Sequence, residues 1–469
     1  MQRPMAGSRR RLAGLCAAAL LSACAGAPID ASGDATPSAP PWPDPPAVPT
    51  GPLEAEVAAA LDRLVARFGD GALDRDALEV VANTGDARLG WILSDMLRFA
   101  APGTGMESAL GDAFVTLTGV DPLDDERFGR DRWLAVTNLL IGWDLPAQPG
   151  YREQKAAIFL PIEPGWEPFF ADTDAAIDWR WVSWGGVFID DRVVGDERPC
   201  TRSCIPALDD PVLTTAAEGS WYLDLRPVFG IVVNDEAVAF PKHIMEVHEM
   251  VNLTVGGRRI GMPYCTLCGS AQAYLTDAVP AGTETPVLRT TGLLSRSNKV
   301  MYDLVTGSAF KTFTGEAVSG SLQDAAFVLE QTTTVATTWG EWKAAHPDTR
   351  IVAEDGGIGR TYPDDPLGGR DLNGPIFPVG PIDPRLPAQA EVVGAIDPAG
   401  DAIAFPVEQA LAELAAGGAV AVGNVEAFAD GGGLRIRIVG GAELPAHESF
   451  WFAWSQFHPD TAVWTPVGR

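Results

Sequence analysis

Phe229-Gly-Ile-Val-Val-Asn-Asp-Glu-Ala-Val-Ala-Phe-Pro241 decides the fold. Two apolar, alternating runs flank Asn234-Asp235, a pair suited to the tight turn of a β-hairpin, and the second run stops at Pro241. The motif then recurs. Gly394-Ala-Ile-Asp-Pro-Ala-Gly-Asp-Ala-Ile-Ala-Phe-Pro406 repeats residues 230–241 with one residue inserted, and a helical stretch follows both copies. Further on, Val425-Glu-Ala-Phe428 matches Ala271-Gln-Ala-Tyr274, and Phe450-Trp-Phe-Ala-Trp454 is set against Val300-Met-Tyr-Asp303. This pattern predicts an α+β fold: a β-rich domain over 121–469 with an internal duplication, in units of about 228–320 and 392–469.

Between the first hairpin and the rest of its unit, His243 to Asn252 has helical spacing through Ile244, Val247 and Val251, with His248-Glu249 on that helix. Thr254 to Met262 reads as strand, turn and strand, and leads into Met262-Pro-Tyr-Cys-Thr-Leu-Cys-Gly-Ser270. Strand patterns continue over 271–275, 287–293 and 299–303. The corresponding stretch of the second copy has no cysteines and no His-Glu pair. Two like units that pack together need only one active copy, so the asymmetry assigns His248, Cys265 and Cys268 to chemistry rather than to fold.

The Cys265-Thr-Leu-Cys268-Gly turn is expected to hold a transition metal, with a redox pair and a structural-disulfide binding module as the alternatives. As a metal knuckle, Cys265 and Cys268 supply thiolates and His248 an imidazole, with Cys200 or Cys204 able to complete four; zinc takes such a set and copper(I) favours its sulfurs. As a redox pair, Cys265 attacks and Cys268 resolves, with His248 or Glu249 moving protons and Cys265 on the more exposed, Tyr264 side. In the third reading the cysteines form structural disulfides, within Cys265/Cys268 and Cys200/Cys204 or between the pairs. His248 is then a hydrogen-bonded core histidine in a non-catalytic surface binding module. Whether the chain is an enzyme stays open among these. No phosphate loop, dinucleotide fingerprint, nucleophile elbow or His-Glu-x-x-His helix occurs, since Met250, Val251 and Asn252 follow Glu249. His346 and His458 each begin a His-Pro-Asp turn, and Ser297-Asn298 reads as a turn between strands.

Upstream, Leu53, Val57, Leu61, Leu64 and Val65 form one helical stripe, and two more helical patterns follow to Leu97, which predicts a small helical cap over 53–120. The aromatic-rich stretch from Trp133 to Trp184 reads as core packing. Residues 24–52 are a Pro-rich tether. Before it, Arg9-Arg-Arg11 and the short apolar run Leu12 to Leu21 read as an export signal, and Leu21-Ser-Ala-Cys24 resembles a bacterial lipobox. Residues 1–23 are therefore expected to be a lipoprotein signal peptide, with Cys24 the lipidated mature N-terminus. This places the chain outside the cytoplasm, anchored by its lipid and destined for an outer rather than an inner membrane where the cell has both. Cys200, Cys204, Cys265 and Cys268 then sit in a disulfide-permissive compartment. A formal net charge of -28 leaves no basic stripe for phosphates, which excludes nucleic acid as a partner; membrane contact comes through the lipid, and protein partners are undetermined.

Several motifs in order resemble one family. They are Trp184-Gly-Gly-Val187, Ile205-Pro-Ala-Leu-Asp209, Ala239-Phe-Pro241, His248-Glu249, Tyr264-Cys-Thr-Leu-Cys-Gly269, Met301-Tyr-Asp303, Phe313-Thr-Gly-Glu316, Glu341-Trp-Lys-Ala-Ala-His-Pro-Asp348 and Phe457-His-Pro-Asp-Thr461. The chain resembles domain-of-unknown-function family 3179 (DUF3179) from roughly Pro122 onward. The resemblance implies no established activity. Family members usually carry a proline where this chain has Thr266, and they lack the insertion of residues 190–204 that brings Cys200 and Cys204. These two cysteines are thus expected to stand outside any family-wide mechanism.

Overall fold

The computed structural model describes residues 42–196, 200 and 202–466. The expected signal peptide, Cys24 and the tether up to Pro41 lie outside the described residues. From Pro43 onward the chain forms one compact unit. Mixed α+β architecture is observed, with helices preceding a β-rich region. No helix among the described residues is long and apolar enough to cross a membrane.

Among the described residues seven α-helices come first: α1 (Ala55–Gly69), α2 (Arg75–Ala82), α3 (Gly90–Phe99), α4 (Gly105–Thr118), α5 (Arg132–Trp143), α6 (Tyr151–Phe159) and α7 (Glu167–Ala171). The stripe expected for α1 is the face it buries, through Leu61, Leu64 and Val65. Side-chain caps start the helices where the backbone leaves amides unpaired: Asp74 accepts from Ala77 N and Thr104 from Glu107 N. The helical region runs to Ala171, past the boundary expected at 120. The aromatics of 133–184 explain why, since they pack as core: Phe170 stacks on Trp179 at 4.4 Å, and Trp166, fully buried, donates from Nε1 to Thr291 O at 2.8 Å.

The hairpin that decides the fold is β1 (Pro227–Val233) and β2 (Glu236–Pro241), antiparallel across Asn234-Asp235. Both turn residues have φ in the left-handed region, 45° and 65°, which Asn and Asp tolerate. Next comes α8 (Lys242–His248), which is shorter than its apolar spacing predicts. Glu249, at φ 50°, ends it, and Val251 and Asn252 belong to β3 (Met250–Val255) instead. A Gly256-Gly257 turn joins β3 to β4 (Arg258–Cys265). The first unit continues with β5 (Leu288–Ser295), β6 (Asn298–Asp303), β7 (Val335–Thr338), α9 (Trp339–Ala345) and β8 (Arg350–Val352). The second runs β9 (Glu391–Ile396), β10 (Ala402–Pro406), α10 (Val407–Ala415), β11 (Val425–Asp430), β12 (Gly433–Ile438), β13 (Ala446–Phe450), α11 (Trp451–Phe457) and β14 (Ala462–Val463).

Sheet order exposes the repeat. One sheet runs β7-β1-β2-β8, with Leu213–Thr215 antiparallel beyond β8, and the other runs β13-β9-β10-β14; β8 and β14 each lie parallel to their inner neighbour. In each, a tryptophan of the following helix covers a glycine of the central strand: Trp342 over Gly230, Trp454 over Gly394. Each indole N–H donates to a threonine seven residues on, Trp342 to Thr349 at 2.9 Å and Trp454 to Thr461 at 3.0 Å. Each packs, tilted, against the histidine of a His-Pro-Asp turn, at 4.1 and 4.4 Å between ring centres. Phe450-Trp454 therefore corresponds to Thr338-Trp342 and not to Val300–Asp303, and the first unit extends to Val352. Position along the chain suggested the other pairing; the Trp-on-Gly contact fixes the register. A second sheet built on β3 and β4 closes over the first, burying Ile231, Val238 and Phe240 against Leu253, Ile260 and Met262. A third, Val182–Trp184 with β5, β6 and Ala309–Lys311, has no equivalent in the second unit among the described residues.

Candidate functional site: a buried dithiol

Cys265 is the last residue of β4, and Thr266–Cys268 make one short helical turn. Gly269 at φ 61° then reverses the chain, so that Ser270 pairs back on Cys265 and Ala271 on Tyr264. Glycine is required twice over here: a Cβ would be strained at this φ and would press on the Phe450 ring at 3.1 Å. The turn brings the two sulfurs to 3.0 Å, hydrogen-bonded and not joined. Cys265 is 4 % exposed and Cys268 0 %. The expectation that Cys265 sits on an exposed side fails, because Tyr264 is itself buried and cannot open it to solvent.

The surroundings treat the two thiols differently. The hydrogen bond shared with Cys268 holds the Cys265 thiol below its ordinary range, with Lys299 helping against burial and the Glu249 charge. Burial first, then the Cys265 sulfur, push Cys268 well above the usual range. Cys268 packs with Sγ 3.2 Å from Ser297 O. Lys299, on β6 and 5 % exposed, pairs with Glu249 Oε2 at 2.6 Å and donates to Glu249 O at 2.9 Å and Tyr264 O at 3.0 Å, which commits all three of its protons. Thr266 Oγ1 donates to Glu249 Oε1 at 2.8 Å, tying the turn to the same ion pair. A cavity of about 260 Å³ opens onto this arrangement. Cys265 lines it, with Leu267, Leu293, Leu294, Leu367 and Phe377 on its apolar side and Glu246, Glu249, Lys299 and Arg370 also in the wall.

His248 stands apart from the thiols. Its Nδ1 donates to Pro206 O at 2.7 Å and its Nε2 accepts from Tyr362 OH at 2.7 Å, a fully bonded neutral ring whose pKa burial lowers to about 4. It faces a different, larger cavity of about 750 Å³, shared with Arg192, Cys204 and Arg360. Cys200 and Cys204 form a disulfide. Among the described residues, the one set of three His, Cys, Asp or Glu ligand atoms within 4.8 Å of one another is Asp190, Cys200 and Cys204. Its sulfurs are bonded to each other, and Asp190 is taken up by Arg192 at 2.6 Å. The ligand set expected from the sequence, His248 with Cys265 and Cys268, is thus not brought together. Two thiolates on one tetrahedral zinc lie about 3.8 Å apart, given bonds of about 2.3 Å; the Cys265–Cys268 separation is 3.0 Å.

Two contributors escaped sequence reading. Lys299 looks like an ordinary strand lysine, although a lone cation ahead of Val300-Met-Tyr in a buried strand is the signal that marks it. The other is the second unit. Gln456 of α11 donates to Ser297 Oγ at 2.8 Å and accepts from Arg296 at its carbonyl at 3.0 Å, so the copy without cysteines clamps the turn beneath Cys268.

A family model described as a protein of unknown function, DUF3179, matches residues 202–437. The match includes Glu249, Cys265, Cys268 and Lys299 and begins after Cys200. No curated protein and no solved structure matches the chain.

Proposed function

The chain belongs to the DUF3179 family, and from the dithiol at its centre we propose that it is a thiol–disulfide redox protein. One observation carries the reading: two unjoined sulfurs 3.0 Å apart, one held toward the thiolate and facing a cavity, the other held as a thiol behind it. That is the division of labour a redox pair needs. Cys265 attacks the oxidised substrate, and Cys268 then attacks the Cys265 sulfur and closes the disulfide. Glu249 and Lys299 orient the turn and set the field at Cys265. His248 takes no part, because both of its nitrogens are committed.

The same proposal puts the protein outside the cytoplasm on a lipid carried by Cys24. This is supported by Arg9-Arg-Arg11, the apolar run to Leu21 and the small residues before Cys24. Exchange of Cys24 for Ser should then move the protein from the membrane fraction to the soluble extracytoplasmic fraction; unchanged membrane retention would sink the anchor.

The redox reading is tested on the purified protein by metal analysis and by thiol mapping across a redox titration. Expected are no stoichiometric metal and a Cys265–Cys268 pair that cycles reversibly at a potential between roughly -270 and -120 mV. Stoichiometric zinc or copper that disappears in the Cys265→Ser/Cys268→Ser variant would replace redox by metal binding.

A further inference from the structure

Resting on the dithiol reading, we propose that the oxidant this site takes is a small apolar organic hydroperoxide rather than the disulfide of another protein. The cavity supports this by size, wall and access. Its volume, about 260 Å³, lies just under the roughly 300–1,000 Å³ of drug-sized pockets. Cys265 is 4 % exposed at its inner wall. A protein disulfide would have to bring two sulfurs into line with Cys265, with chain attached to both. A hydroperoxide has only to present its terminal oxygen, with its organic body left among Leu267, Leu293, Leu294, Leu367 and Phe377.

The polar groups fit the same step. The Cys265 thiolate attacks the terminal oxygen of R–O–O–H, the S–O bond forms as the O–O bond breaks, and the alkoxide leaves and takes a proton from water. The Cys268 thiol then attacks the sulfenic acid sulfur; the S–S bond forms and water departs with the Cys268 proton. In sum, dithiol and hydroperoxide give disulfide, alcohol and water, with the protein oxidised by two electrons and the peroxide reduced. Negative charge moves from sulfur to the leaving oxygen during the first step. Lys299, in the wall of the same cavity, is held by three acceptors, one of them the Glu249 carboxylate, so this ion pair stays fixed through the step and needs no reorganisation. The leucine wall selects for the organic body over hydrogen peroxide, since burial of even one extra methylene group discriminates by about tenfold or more.

Reduced protein is mixed in single-turnover experiments with cumene hydroperoxide, hydrogen peroxide or insulin as a protein disulfide. The expected result is loss of the Cys265 thiol about tenfold or more faster with cumene hydroperoxide than with either alternative. In Cys268→Ser a dimedone-trapped sulfenic acid should appear on Cys265. Leu367→Trp and Leu294→Trp, which fill the cavity from two walls, should each narrow the preference for cumene hydroperoxide, and their redox titrations report whether the pair is still intact. Equal or faster reaction with hydrogen peroxide, or with insulin, overturns the substrate class and leaves the dithiol reading standing. If none of the three oxidants converts the pair to a reducible disulfide, the dithiol reading falls as well.

Discussion

Cys265 and Cys268 share one turn and one hydrogen bond, yet their protons are held unequally: that bond lowers the Cys265 thiol, whereas burial and the Cys265 sulfur raise Cys268. The difference is measurable. Alkylation of Cys265 should follow a pH profile whose midpoint lies below that of an ordinary thiol, and in Cys268→Ala the midpoint should move up, because the donor that stabilises the thiolate is gone. A profile unmoved by Cys268→Ala would mean that the hydrogen bond does not set the titration. Lys299 gives a second test at this scale. Lys299→Met leaves Glu249 buried and unpaired, and loss of one partner of such a pair costs about 3–5 kcal/mol. Addition of Glu249→Gln should restore most of that stability in urea denaturation and bring the raised alkylation midpoint of the single variant back down, since the Glu249 charge that opposes the Cys265 thiolate is gone. Part of this site is legible from sequence: Cys-x-x-Cys-Gly names the pair and the turn, and the adjacent His-Glu points to Glu249. Lys299 and Gln456 are not, because they lie 31 and 188 residues beyond Cys268 and only the packed sheets bring them near.

At the level of elements, the repeated unit rests on a tryptophan laid across a strand glycine. Gly230 and Gly394 have no side chain where the rings of Trp342 and Trp454 sit, so a methyl group at either position must displace an indole that also holds a hydrogen bond to Thr349 or Thr461. Gly230→Ala and Gly394→Ala should each destabilise by about 1–3 kcal/mol, the usual cost of overpacking, and a urea midpoint for each variant checks it. Equal losses are expected, since the two contacts are alike; a loss at one site alone would show that the copies are not equivalent. The hairpins were readable from alternation and turn residues, and Asn234-Asp235 adopts the backbone its composition implies. The end of α8 was not, because Val251 continues the helical spacing of Ile244 and Val247 while it actually serves β3. Apolar spacing cannot tell a helix from the strand that follows it when both bury the same side.

Across the whole molecule, histidine burial couples folding to pH. Burial lowers His243, His248 and His458 to about 4 and His447 to about 3. Each has an unfolded value near 6.5, so between these limits the unfolded chain binds more protons than the folded one. The stability they contribute is complete above about pH 6.5 and is lost as pH falls toward about 4. For His248, with Arg360, Arg192 and Asp190 as its charged neighbours, the loss is on the order of 3 kcal/mol. Denaturation midpoints should therefore fall between about pH 7 and about pH 5, and His248→Gln should flatten that fall. An equal slope in the variant would assign the effect to the carboxylates instead.

The clamp of Gln456 on Ser297, together with Phe450 against Gly269, has a consequence for inheritance. A gene cut just before Glu391 still encodes Cys265, Cys268, Glu249 and Lys299, every residue that chemistry would ask for, yet its product lacks the floor on which the dithiol rests. The copy without cysteines is thus not spare material left by a duplication. Where the two copies touch, a change in one is expected to call for an answering change in the other.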